Sequence, residues 1–120
     1  WGVVLVRMRR VIRQFTKGLP MHIFMTALSK DEIMPRVGHV LKPSVQGQFA
    51  NELPGIPDIV AYLANEEIEP DDLHPDGVLR TLLLHGYPKF STKARSPWGL
   101  QLPTEIEDPD VTKLLDAVGL

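Results

Sequence analysis

The sequence has 120 residues, with 13 Lys and Arg against 15 Asp and Glu and a formal net charge of −2. That length suits one small domain with a core, and that charge excludes a globally polybasic nucleic-acid binder, so such a partner must be held by a local patch. With no cysteine there is neither a disulfide framework nor a thiolate metal site, as suits a reducing cytosol, and no apolar run reaches the ~18 residues of a membrane span.

Residues 3–17 are expected to form a helix. Val4, Met8, Val11, Ile12 and Phe15 recur at spacings of three and four and make one apolar stripe, which Leu5 widens. Arg7, Arg9, Arg10, Arg13 and Lys17 cover the other faces, Gly18 is the stop, and Pro20 bars continuation. These arginines sit inside a helical pattern and not ahead of an apolar stretch, so the start does not read as a signal peptide. A first residue of Trp1 and not Met points to processing or to a piece of a longer protein. Met21–Leu28 (MHIFMTAL) reads as a strand buried on both faces. A helix followed by such a strand is half of a βαβ unit.

Residues 29–57 are broken by Pro35, Gly38, Pro43, Gly47, Pro54, Gly55 and Pro57. They read as a loop across one end of a sheet, with a short helix near 48–53. Asp58–Ala64 and Val78–Leu84 read as buried strands, antiparallel neighbours joined by the acidic stretch from Glu66 to Asp76. Lys89–Ala94 reads as a short fourth strand. Asp108 is the expected N-cap of a final helix, with Pro109 in its first turn, Val111, Leu114 and Leu115 as its apolar stripe and Gly119 as its stop.

Four segments in this order carry a family resemblance. WGVVLVRMRRVIRQFTKGLPMHIFMTAL resembles the basic helix and strand that follow the Walker B strand in phage-type RecA-like P-loop (AAA) ATPases. LPGIPDIVAYLA, VLRTLLLHGYPKFSTKARSPWG and LPTEIEDPDVTKLLDAVG resemble that family's later strands and closing turn and helix. The resemblance covers nearly the whole chain and implies an α/β fold: residues 1–120 as a single partial domain, the C-terminal half of a RecA-like core. Mostly parallel central strands would carry antiparallel strands at the C-terminal edge. It also implies a cytoplasmic ATPase of recombination or annealing, using ATP and magnesium in the full-length protein. Such a protein works as a homo-oligomer, ring or filament, with single-stranded DNA as its candidate partner and no membrane. No Gly-x-x-x-x-Gly-Lys-Ser/Thr run occurs, and no Walker B strand ending in Asp precedes the first helix. The loop that cradles phosphates and the usual magnesium anchor are therefore missing. This chain is not expected to hold the nucleotide alone, and no cofactor-binding or metal residue is assigned.

Lys93 and Arg95 are the first candidates. At i and i+2 they share one side of an extended segment, and an ammonium beside a guanidinium suits a γ-phosphate. As ordinary residues they are solvated surface charges. The resemblance makes them a Lys-x-Arg finger that reaches a neighbouring subunit's ATP. It makes Thr26 a sensor beside the γ-phosphate, where the plain alternative is a β-branched strand residue. Lys30, Arg36 and Lys42 fall in the region where RecA-like proteins carry DNA-binding loops; a structural crossover is the alternative. The arginine helix reads as a solvated outer face more readily than as a DNA contact, since Arg9 and Arg13 share one face and Arg7 and Arg10 another. His22 reads as a core residue, the acidic stretch as a solvated turn guarding a sheet edge, and Trp98 as a packing anchor beside the cation pair. The leading expectation is the C-terminal part of a DNA-associated ATPase. The alternative is a non-enzymatic protein- or DNA-binding α/β module, with a metal-dependent nuclease a distant third.

Overall fold

The expected first helix is present as α1 (Gly2–Gly18), within a residue of its expected limits at each end. The computed structural model describes residues 2–45, 47–96 and 99–119. They divide into two units, Trp1–Pro57 and Asp58–Leu120.

In the first unit α1 is amphipathic, but none of its residues is buried. Leu5, Met8, Ile12 and Thr16 are half-buried, while Val4, Val11 and Phe15 stay exposed. The expected strand Met21–Leu28 is absent: residues 22–28 are irregular and, apart from Ile23, exposed. A strand persists when its backbone groups find a ladder partner. Among the described residues the one hydrogen bond to this stretch from outside is Ser44 N–H to the Leu28 carbonyl at 2.6 Å. The first strands lie further on, β1 (Ser29–Met34) and β2 (Gly38–Pro43), paired antiparallel from Ser29↔Pro43 to Met34↔Gly38. Their turn has Pro35 second and Arg36 third, with Arg36 at φ 69° and Val37 N–H reaching the Met34 carbonyl at 3.4 Å. Proline second and positive φ third are the marks of a type II turn. The expected crossover loop is thus a hairpin. The short helix near 48–53 is α2 (Phe49–Glu52), continued by a 3-10 turn, Leu53–Gly55. Phe49 and Val40 are the buried apolar side chains of this unit among the described residues.

In the second unit the expected strand at 58–64 splits into β3 (Ile59–Val60) and β4 (Tyr62–Glu67). β3 pairs with β6 (Lys93–Ala94), whereas β4 joins β5 (Val78–Leu83) and β7 (Glu105–Glu107) in the order β4-β5-β7. β4 and β5 are antiparallel neighbours across the acidic connection, as expected. β4 is covered on one face only, since Leu63 is exposed between half-buried Tyr62 and Ala64. β7 replaces what reads as turn in the sequence. The last helix, α3 (Val111–Ala117), is capped by Asp110, whose carboxylate accepts from Lys113 N–H at 2.7 Å. Asp108, the expected cap, instead takes φ 43° two residues earlier. Leu83, Leu84, Leu102 and Val118 are the buried apolar side chains here.

Among the described residues every strand pairing is antiparallel, in sheets of two or three strands. This overturns the expected RecA-like core with mostly parallel central strands. Parallel neighbours need a crossover of about a dozen residues or more, usually a helix. Here β1 and β2 are joined by a tight turn, β4 and β5 by the loop 68–77, and residues 22–28 form no central strand.

Candidate functional site

Lys93 and Arg95 stand on and just after β6. Lys93 pairs with Val60 and Ala94 with Ile59, and Arg95 N–H extends the ladder to the Asp58 carbonyl at 2.9 Å. Alternation along this segment turns Lys93 and Arg95 to the same side. The approach to β6 is fixed by rings: Phe90 lies 4.5 Å from Tyr62 and edge-on to Tyr87 at 6.3 Å. Tyr87 in turn donates its hydroxyl to Glu105 at 2.7 Å, and that carboxylate pushes the Tyr87 pKa up. Beyond Arg95, the Ser96 hydroxyl accepts from Leu100 N–H at 2.9 Å. Trp98 lies outside the described residues.

The ammonium of Lys93 is shut off from solvent and has no hydrogen-bond partner among the described residues. Burial pushes its pKa below the ordinary lysine value. The charge of Arg95 pushes the same way, and Asp58 partly offsets both. A cation held away from water, with a second cation beside it, favours whatever anion can reach it. Arg95 supplies a planar, permanently charged fork suited to phosphate oxygens.

The other expected residues lie in the first unit. Thr26 is exposed on the irregular segment, not on a strand. Lys30 and Lys42 face each other across the hairpin ladder. Lys30 is turned inward to the Val45 carbonyl at 3.3 Å, and Lys42 is paired with Glu32 at 3.3 Å. Arg36 sits exposed at the turn, the opposite end of the hairpin.

Two features went unread in the sequence. One is a groove along α1, lined by Arg9, Arg10, Arg13, Gln14 and Lys17, with Glu52 paired to Arg9 at its wall. The other is His74, whose Nε2 meets both carboxylate oxygens of Asp108 at 2.8 Å while Nδ1 lies 3.2 Å from Asp71. Asp108, followed by Asp71, holds the His74 pKa above its usual value, and the His74 backbone N–H is the chief cause of a lowered Asp71. His74 thus ties the acidic loop to the end of β7. Among the described residues no group of three or more His, Asp or Glu is placed to hold a metal ion.

No protein-family model, curated protein or solved structure matches the chain. No helix among the described residues is long and apolar enough to cross a membrane.

Proposed function

We propose that this chain is the part of a DNA-associated ATPase that lends Lys93 and Arg95 to the phosphoryl group of a nucleotide bound on a neighbouring subunit. The observation that carries the reading is the Lys93 ammonium, shut off from solvent without a hydrogen-bond partner among the described residues and beside Arg95. The four-segment resemblance supplies the reaction class. The proposal concerns the cation pair alone and takes nothing from a parallel core.

In such a reaction water attacks the γ-phosphorus in line as the bond to the β–γ bridging oxygen breaks, ADP leaves, the water gives up a proton to solvent, and negative charge spreads over the transferring oxygens. The Arg95 guanidinium would form paired bonds to two of them, and the Lys93 ammonium would neutralise a third. The strain of an unpaired Lys93 is then relieved only when the anion arrives, so part of the cost of binding is met in the free protein. Among the described residues no group of carboxylates is placed to hold a magnesium ion. Supply of the finger from a neighbour entails a homo-oligomer, ring or filament, and a cytoplasmic place agrees with the cysteine-free sequence.

The test is ATP hydrolysis by the full-length protein with single-stranded DNA present. Arg95→Ala is expected to lower kcat by ~10³-fold or more with little change in KM. A rate within about twofold of the parent contradicts the reading, because loss of such a finger costs at least ~4 kcal/mol of barrier. A second reading, a non-catalytic binding module, is favoured by the exposed basic helix. It predicts nucleic-acid binding with no hydrolysis in the full-length protein.

A further inference from the structure

The chain's small net charge hides a division. Residues 1–57 hold eight Lys and Arg against three Asp and Glu, a formal +5, and residues 58–120 hold five against twelve, a formal −7. Within the basic part, α1 carries Arg7, Arg9, Arg10, Arg13 and Lys17 and no carboxylate.

The structure separates these cations. Arg9 is spent on Glu52, to which its Nε donates at 2.6 Å while its Nη2 closes the ion pair. That pair fixes one edge of the helix, along which Leu5, Met8, Ile12 and Thr16 are half-buried. Arg10, Arg13 and Lys17 are exposed. At 3.6 residues per turn and 1.5 Å rise they share an arc of about 60° and a row about 10.5 Å long. A nucleic-acid strand advances ~3.4 Å per phosphate, so the row matches about three consecutive charges. Val6, Gln14, Gly18 and the Arg9–Glu52 wall complete the groove. Of the hairpin cations expected to serve nucleic acid, Lys30 and Lys42 are engaged within the fold, and Arg36 stands exposed at the turn.

We propose that the Arg10, Arg13 and Lys17 face of α1 binds the phosphate backbone of a nucleic-acid strand. This deepens the DNA association proposed above, on which it rests, but not the role of Lys93 and Arg95. An anionic bilayer fits less well. Of the exposed apolar residues of α1, Val4, Val11 and Phe15 lie about 150° around the helix from the basic row, whereas Val6 lies within that row and Val3 beside it. A membrane that took up Phe15 would leave the three cations pointing away from the lipid phosphates.

The test is fluorescence anisotropy of a labelled oligodeoxythymidine with the 120-residue chain, repeated over a range of salt. Three phosphate contacts predict a slope of log affinity against log salt of roughly −2 to −3, and each of Arg10→Gln, Arg13→Gln and Lys17→Gln should reduce its magnitude by ~0.7–0.9. Glutamine keeps helix propensity, and an unchanged helical circular dichroism spectrum would exclude unfolding as the cause. Lys89→Gln, at an exposed cation outside α1, is expected to leave the slope unchanged, and the readout needs no ATP hydrolysis, which separates this face from the finger. The proposal is overturned by an unchanged slope in the triple variant, by a fall on Arg36→Gln in place of the α1 variants, or by equal affinity for polyglutamate of the same length. Absence of binding to the oligonucleotide together with sedimentation on phosphatidylserine vesicles overturns it in favour of lipid.

Discussion

Lys93 holds an ammonium away from water with no hydrogen-bond partner among the described residues, and a buried polar group left unsatisfied costs ~1–3 kcal/mol. Lys93→Met keeps the stem and removes the charge, so the variant is expected to melt at a higher temperature than the parent at neutral pH while losing phosphate affinity. Because the folded pKa is depressed, the folded state binds fewer protons than the unfolded chain below 10.5. The parent should therefore gain stability as pH rises toward that value, and Lys93→Met should not. Equal or lower stability of the variant would mean that Lys93 has a partner in solution. His74 gives the opposite sign. Its folded pKa is raised, so its contribution is complete below 6.5 and is lost as pH rises through the folded value. Melting temperatures of the parent and His74→Gln should differ most on the acidic side of 6.5 and converge at higher pH; a constant difference would contradict the tether. The candidate pair was legible in the sequence as two cations two residues apart. The solvent-shielded state of one of them was not, because it depends on β3 crossing beside β6 from more than 30 residues away. His74 was illegible for the same reason, since its partner Asp108 is distant in sequence.

At the scale of elements, periodicity was a sound guide wherever one element decides its own structure. α1 forms where its periodicity placed it, although Val4, Val11 and Phe15 of its apolar stripe stay exposed, and β4 and β5 pair as their composition and acidic connection suggested. The misreadings arose where tertiary partners decide. MHIFMTAL has strand composition but no ladder partner among the described residues, while the more polar SKDEIM pairs with GHVLKP because a tight turn brings them together. The signal for that hairpin was present, as a proline and a glycine three residues apart between two short runs. In the loop 68–77, Gly77 accepts from Ile68 N–H at 2.9 Å and donates to the His74 carbonyl at 3.0 Å, at φ 69°. A Cβ there would stand 3.1 Å from the Ile68 carbonyl oxygen. Gly77→Ala is expected to destabilise the protein by about 1–2 kcal/mol. Denaturant titration checks this, and a loss below a few tenths of a kcal/mol would contradict the strained geometry.

For the whole molecule, antiparallel sheets replace the expected parallel core, and the chain divides its charge between two units. Residue order in four segments suggested the reaction class but said nothing reliable about how the strands would pair, because pairing is fixed by long-range partners. The central proposal is that Lys93 and Arg95 together receive a phosphate group. The most direct measurement follows the isotope-labelled lysine Nζ signals of the whole chain as sodium tripolyphosphate is added at constant ionic strength. The account predicts that the Lys93 signal moves first and that its pKa rises toward the ordinary lysine value, with Arg95→Gln abolishing the change. A Lys93 signal that stays still, or that moves no more than those of Lys89 and Lys113, would contradict it.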